Sequence, residues 1–128
     1  MSNTPHHAVV WSEIPVSDLD AAMEFYSTVL QAEMTKDEMG PNPVAFFEKE
    51  GGAMGPGIGG HLYPGKPAQG VGPTIHLAIK DTVEEARERV LAAGGSSDGP
   101  VIEMPFGRWV YAQDPDGNSL GLFQEAAS

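Results

Sequence analysis

Gln113-Asp114-Pro115-Asp116-Gly117-Asn118-Ser119-Leu120-Gly121-Leu122-Phe123 sets a turn before an apolar run, with Glu125 to Ser128 expected to fray beyond it. Asp114 to Asn118 reads as a tight turn in which Gly117 is free to take a positive φ. Trp109 to Gln113 enters that turn as a predicted strand, and Ser119 to Gln124 leaves it as another. Upstream lie a further strand candidate, Val101 to Met104, and the pair Gly94-Gly95, a helix-stop signal. The helix it stops spans about 82 to 93, is capped by Asp81-Thr82, and turns Val83, Ala86, Val90 and Leu91 inward. Thr74 to Lys80 precedes it as a strand. The second half therefore runs strand, helix, strands.

The first half has the same order. Val9 to Val16 is strand-like, and Ser17-Asp18 offers an N-cap. Leu19, Ala22, Met23, Tyr26, Val29 and Leu30 follow at helical spacing from about 18 to 31. Val44 to Glu48 reads as a strand between a Gly-Pro-Asn-Pro turn and Gly51-Gly52, and a short strand closes the glycine-rich stretch at His61-Leu62-Tyr63. Pro64 to Pro73 has the composition of a connector. The halves superimpose by pattern: Leu19, Ala22 and Tyr26 match Val83, Ala86 and Val90 at an offset of 64. Ile14 and Val16 match Leu77 and Ile79 at 63, and Leu62 and Tyr63 match Leu122 and Phe123 at 60. Such a repeat predicts one domain over 1-128, with a first module at about 7-63, the connector at 64-73 and a second module at about 74-125. Leu19, Tyr26, Leu30, Val83, Val90 and Leu91 are the expected core.

Composition narrows the function. The chain has 128 residues and no cysteine, so disulfides, thiolate metal sites and cysteine nucleophiles are excluded. Eighteen acidic against 7 basic side chains give a net charge of −11, which disfavours nucleic acid and anionic membrane as partners and favours cationic ligands. No apolar stretch approaches a bilayer span and the start shows no leader pattern, so a cytoplasmic location is expected. No Gly-x-Ser-x-Gly elbow, HExxH helix or Gly-Lys-Ser/Thr phosphate loop is present.

Three stretches carry a resemblance. Trp11-Ser12-Glu13-Ile14-Pro15-Val16-Ser17-Asp18-Leu19-Asp20 with Phe25-Tyr26 and Val29-Leu30, then Glu84 to Gly95, then Gln113 to Phe123, together resemble the vicinal-oxygen-chelate superfamily of glyoxalase, bleomycin-resistance and extradiol-dioxygenase relatives. The resemblance implies an α+β fold of two βαβββ modules whose curved mixed sheets enclose a cleft. It also implies, in metal-dependent members, four inward ligand positions, one on the first and one on the last strand of each module. Those positions fall here on Trp11, Thr74, Gly121 and His61, of which only His61 is a competent ligand. Three protein ligands are usual in a catalytic site, so no cofactor is expected.

A displaced metal is the alternative. Alternation along the strands puts Glu13 on the face of Trp11 and His76 on the face of Thr74. Glu13, His61 and His76 would make two imidazoles and a carboxylate, a set suited to a divalent ion, each of the displaced pair standing about 6.6 Å along its strand from the expected slot. Without metal, Glu13 becomes a candidate general base and His76 a proton relay near neutral pH. Trp11, Trp109 and Tyr111 are candidates for an aromatic wall, with core packing as the competing role. Arg108, read as a loop residue beside Phe106-Gly107, would clamp an anionic group or simply sit at the surface. The stretch from Met54 to Gly60 is a candidate lid, and His6-His7 a flexible arm. Three functions follow: a metal-free small-molecule-binding protein, homodimeric as the resemblance implies; a lyase, isomerase or dioxygenase with a divalent ion at Glu13, His61 and His76; or a metal-free enzyme in which Glu13 abstracts a proton from carbon.

Overall fold

The computed structural model describes residues 5, 8–38, 40–52 and 55–126. His6, His7 and Met54 lie outside the described residues, so the expectations placed on them are not addressed. The first half contains β1 (Trp11–Val16), α1 (Leu19–Leu30), β2 (Thr35–Asp37), β3 (Val44–Phe46) and β4 (Gly59–Pro64). The second contains β5 (Ile75–Ala78), α2 (Val83–Ala92), β6 (Ile102–Met104), β7 (Gly107–Gln113) and β8 (Ser119–Glu125). Each half is a βαβββ module, and the class is α+β as expected. The strand orders are β1-β4-β3-β2 and β5-β8-β7-β6. In each sheet the module's first strand pairs in parallel with its last, and the other pairings are antiparallel.

Each helix covers one face of its own sheet. Ile14, Val16 and Leu62 are buried with Leu19, Tyr26 and Val29 of α1. Val110, Leu120 and Leu122 are buried with Val83, Ala86 and Val90 of α2. The two helices also touch each other, so one apolar cluster runs through both modules. Leu91 corrects the expected core, being 55% exposed. It sits one residue past Val90, about 100° around the helix, and α2 buries only the narrow stripe at 83, 86 and 90. Leu30 is only partly buried at the edge of the cluster. β2 was not expected. Thr35-Lys36-Asp37 has no apolar alternation because it is an edge strand, paired only with β3 and largely exposed.

Asp18 caps α1 by accepting from the Ala21 amide. Asp81 does not cap α2. Thr82 holds that position and accepts from the Glu85 amide. Asp81, one residue too early for the cap, instead grips Arg89 two turns along the helix through two bonds of 2.7 and 2.8 Å. That pairing holds the Asp81 carboxyl below the usual carboxylate range. Arg89 also donates to the Val29 carbonyl at 3.0 Å, and Lys80 to the Gln31 carbonyl at 2.8 Å. Two cations of the second module thus meet the carboxyl end of α1, where the helix dipole favours them.

The closing turn joins the modules at the other end. Asp114 and Asn118 are buried, 4% and 6% exposed. Asp114 accepts from the amides of Asp116 and Asn118, and Asn118 donates to the Pro15 carbonyl at 2.7 Å. The hydroxyl of Tyr26 on α1 donates to Asp114 at 2.7 Å. Burial first, and the Asp114 charge second, push the Tyr26 phenol far above its ordinary value.

Candidate functional site

Strand alternation decides which side chains face away from the helices. In β1, Ile14 and Val16 are buried beneath α1, which leaves Trp11, Glu13 and Pro15 on the open face. In β4, Leu62 goes inward while His61 and Tyr63 face out. The register places Glu13 directly beside His61. In the second sheet Val110, Ala112, Leu120 and Leu122 are buried, so Trp109, Tyr111, Gly121 and Phe123 share the open face with His76. His76 is beside Gly121 in the same parallel pairing that sets Glu13 beside His61.

The first face carries a hydrogen-bonded chain. The Trp11 indole Nε1 donates to His61 Nδ1 at 2.9 Å, and His61 Nε2 stands 3.1 Å from Glu13 Oε1. An indole N–H only donates, so Nδ1 is the acceptor and the imidazole proton is on Nε2, directed at Glu13. Phe46 and Tyr63 flank the imidazole edge-on, with ring centroids 5.9 and 6.2 Å away. Phe46 stands edge-on to Trp11 as well, at 6.1 Å. The Glu13 side chain is 63% exposed and that of His61 only 16%. Glu13 is therefore an open carboxylate steadied by an imidazole rather than a buried lone acid.

The second face is aromatic. His76 meets Trp109 and Tyr111 edge-on at 6.3 and 5.8 Å, and Phe106 stacks on Trp109 at 6.0 Å. Phe106 is 62% exposed and Tyr111 45%. The Trp109 Nε1 is buried without an acceptor among the described residues. A Cβ at position 121 would collide with the His76 ring, so the missing side chain of Gly121 is the space the imidazole occupies.

The expected site residues thus fall into separate groups. Trp11, Glu13 and His61 meet on the first sheet, and His76, Trp109 and Tyr111 on the second. Residues of β1 and β5 line two cavities along a shared seam. Ser12 and Gly59 share a cavity of about 600 Å³ with Thr74, His76 and Ala78. Glu13 and Pro15 share a smaller one, about 170 Å³, with Ile75 and Ser119. Glu13 and His76 both reach this seam but line different cavities. Among the described residues no three His, Asp or Glu side chains converge as a metal site. His61 offers no free ring nitrogen, because one carries its proton and the other takes the Trp11 hydrogen. The described residues of one chain present no vacant set of donors for a divalent ion here. Thr74, another of the implied ligand positions, is hydrogen-bonded to the Ser119 hydroxyl at 2.6 Å.

Arg108 corrects the sequence reading. It lies in β7, not in a loop, and alternation turns it to the helix side, away from Trp109 and Tyr111. There its guanidinium forks onto both carboxylate oxygens of Glu84 on α2, and a second ion pair of 3.4 Å reaches Glu103. Glu84 holds the Arg108 guanidinium above its ordinary value, and Arg108 holds the Glu84 carboxyl below its own. Phe46, Phe106 and Phe123 were missed as members of the aromatic faces. Phe123 was within reach, since it pairs with Trp109 in register and has the same parity. Phe106 and Phe46 gave no comparable signal.

Comparison with known proteins fits this architecture. A sequence model described as "Glyoxalase/Bleomycin resistance protein/Dioxygenase superfamily" matches residues 4–122. A member of that superfamily from Sphaerobacter thermophilus DSM 20745 is 27% identical, with a TM-score of 0.62 over 93% of this chain and 98% of that one. A glyoxalase/bleomycin resistance protein from Albidiferax ferrireducens T118 is 19% identical, with a TM-score of 0.69 over 94% and 100%. The fosfomycin resistance protein FosX from Listeria monocytogenes is 19% identical, with a TM-score of 0.67 over 98% and 95%. No curated protein matches the chain.

Proposed function

The chain belongs to the glyoxalase/bleomycin resistance protein/dioxygenase superfamily, and from that premise we propose that it binds a flat, cationic small molecule against its open sheet faces without using a metal. The observation that carries this reading is the open carboxylate of Glu13, set among the rings of Trp11, Phe46, His61 and Tyr63. Aromatic faces and a fixed carboxylate together favour a delocalised cation, through ring quadrupoles and a charge-assisted hydrogen bond. The net charge of −11 adds long-range attraction of the same sign.

The same reading makes the protein a homodimer. The second face leaves Phe106, Tyr111 and Met104 exposed in one chain and the Trp109 indole N–H without an acceptor among the described residues. A second copy laid over these faces would bury them and roof the ligand between two chains. Sedimentation equilibrium should give twice the chain mass, and a monomer at micromolar concentration would remove this part of the reading.

Tryptophan emission titrated with berberine, a flat cation, tests the ligand class, with 8-anilinonaphthalene-1-sulfonate as an anion of similar size. Berberine should produce a saturable change that Glu13→Gln weakens by roughly tenfold, the factor that one charge-assisted bond is worth. Equal binding of the anion, or an unaltered Glu13→Gln, would overturn the proposal.

A further inference from the structure

We infer that Trp11 closes His61 against divalent metal by occupying the one lone pair that the imidazole has to give. A neutral imidazole carries its proton on one nitrogen and keeps an in-plane lone pair on the other, and only that lone pair binds a metal. In this protein the lone pair is on Nδ1, and the Trp11 indole hydrogen points into it from 2.9 Å. The proton on Nε2 points at Glu13 Oε1, 3.1 Å away. Glu13 and His61 are neighbours on adjacent strands, which would otherwise make them a two-donor corner for a cation.

Neither route for a metal into this corner leaves the indole in place. Binding at Nδ1 displaces the Trp11 hydrogen directly. Binding at Nε2 moves the proton to Nδ1, where two N–H groups would then face each other across 2.9 Å. The indole is held by its neighbours on this face. Phe46 packs edge-on against it at 6.1 Å, and the His61 ring lies tilted beside it at 5.8 Å. Glu13 plays a different part: it fixes the direction of Nε2–H but blocks nothing. Trp11 is therefore the gate and Glu13 the beneficiary, since a histidine barred from metal keeps steadying the carboxylate. The inference rests on the metal-free reading of this face, but its test needs no organic ligand, so a failed berberine titration leaves it standing.

The two roles separate by mutation. Two-bond proton–nitrogen correlation spectra of the full-length, nitrogen-15-labelled chain read which His61 nitrogen carries the proton, with resonances assigned through His61→Gln. The wild type should show the Nε2–H form. Zinc titrations of wild type, Trp11→Phe and Glu13→Gln follow the same His61 resonances, which separates them from zinc taken by His6, His7 or His76. Trp11→Phe should respond at a roughly tenfold lower zinc concentration than the wild type, the factor set by one net hydrogen bond. Glu13→Gln should not gain affinity, because its amide oxygen still accepts from Nε2–H and the indole remains. An Nδ1–H tautomer in the wild type would overturn the inference, and that measurement stands even if Trp11→Phe fails to fold. Equal zinc response in wild type and Trp11→Phe, including none in either, would overturn it as well.

Discussion

The Tyr26 hydroxyl donates to the Asp114 carboxylate at 2.7 Å, and these two buried groups tie the first helix to the last turn across 88 residues of sequence. The bond is one of several at this point. Asp114 also accepts from Asn118 Nδ2 at 2.8 Å, so it is not orphaned when the phenol is removed. Tyr26→Phe should therefore lower the unfolding free energy by about 1.5–3 kcal/mol, the net worth of one hydrogen bond to a charged group. Urea denaturation measures it, and an unchanged midpoint would mean that the turn does not depend on the helix.

The same tyrosine sets an alkaline limit. Its folded-state value lies far above the unfolded 10.0, so its contribution is complete below pH 10 and is lost as pH rises beyond it. There the unfolded chain releases a proton that the folded chain keeps. Wild-type stability should fall more steeply above pH 10 than that of Tyr26→Phe, by about 1.4 kcal/mol per pH unit for one proton. Parallel curves for the two proteins would contradict the burial argument.

At low pH the control passes to Asp81. Its pairing with Arg89 depresses the folded-state value below the ordinary 3.8. The pair's contribution is complete above about pH 5 and fades as pH falls through 3.8 and then through the folded value. Asp81→Asn should be less stable than the wild type at neutral pH, with the gap closing in acid. Arg89 keeps its bond to the Val29 carbonyl in that variant, so the helices should stay docked.

Two leucines separate core from surface. Leu120, with no exposed surface, should cost about 2–5 kcal/mol when cut to alanine. Leu91, 55% exposed, should change stability by no more than about 0.5 kcal/mol under the same substitution. A large loss at Leu91 would place it under a partner chain.

Two glycines face similar collisions with different outcomes. A methyl at Gly95 meets the Gln113 backbone oxygen as well as Phe25 and Val90, none of which can retreat cheaply. Gly95→Ala should destabilise by about 1–3 kcal/mol or more. The three atoms nearest a methyl at Gly121 all belong to the His76 ring, an exposed side chain that can rotate. Gly121→Ala should keep its stability while the ring contacts of His76 with Trp109 and Tyr111 disappear from nuclear Overhauser spectra.

What the sequence disclosed was mostly what alternation and helical spacing encode. Ile14, Val16, Tyr26, Val83 and Val90 announce their faces, and the offset between the modules places Glu13 with His61 in the way it places His76 with Gly121. Leu91 misled because an apolar residue beside a stripe counts toward it in sequence, although α2 is covered along a narrower line. Arg108 misled because its strand starts at Gly107, two residues before the apolar run suggested. The chain through Trp11, His61 and Glu13 was not legible at all. It depends on two ring orientations that no spacing rule sets, although alternation puts Trp11 and Glu13 on one face.

The inter-module contacts also govern the order of events during synthesis. The first module leaves the ribosome with the Tyr26 hydroxyl, the Pro15 carbonyl and the Val29 carbonyl lacking the partners that Asp114, Asn118 and Arg89 later supply. Between Tyr26 and Asp114 lie 88 residues, roughly 4–18 s of translation. Until then water must serve the Tyr26 hydroxyl and the Pro15 carbonyl, whereas the Val29 carbonyl gains Arg89 earlier, 60 residues along the chain. The last of these inter-module bonds can close only when the turn at Asp114 to Asn118 has been made, so a product cut short of Asp114 lacks them.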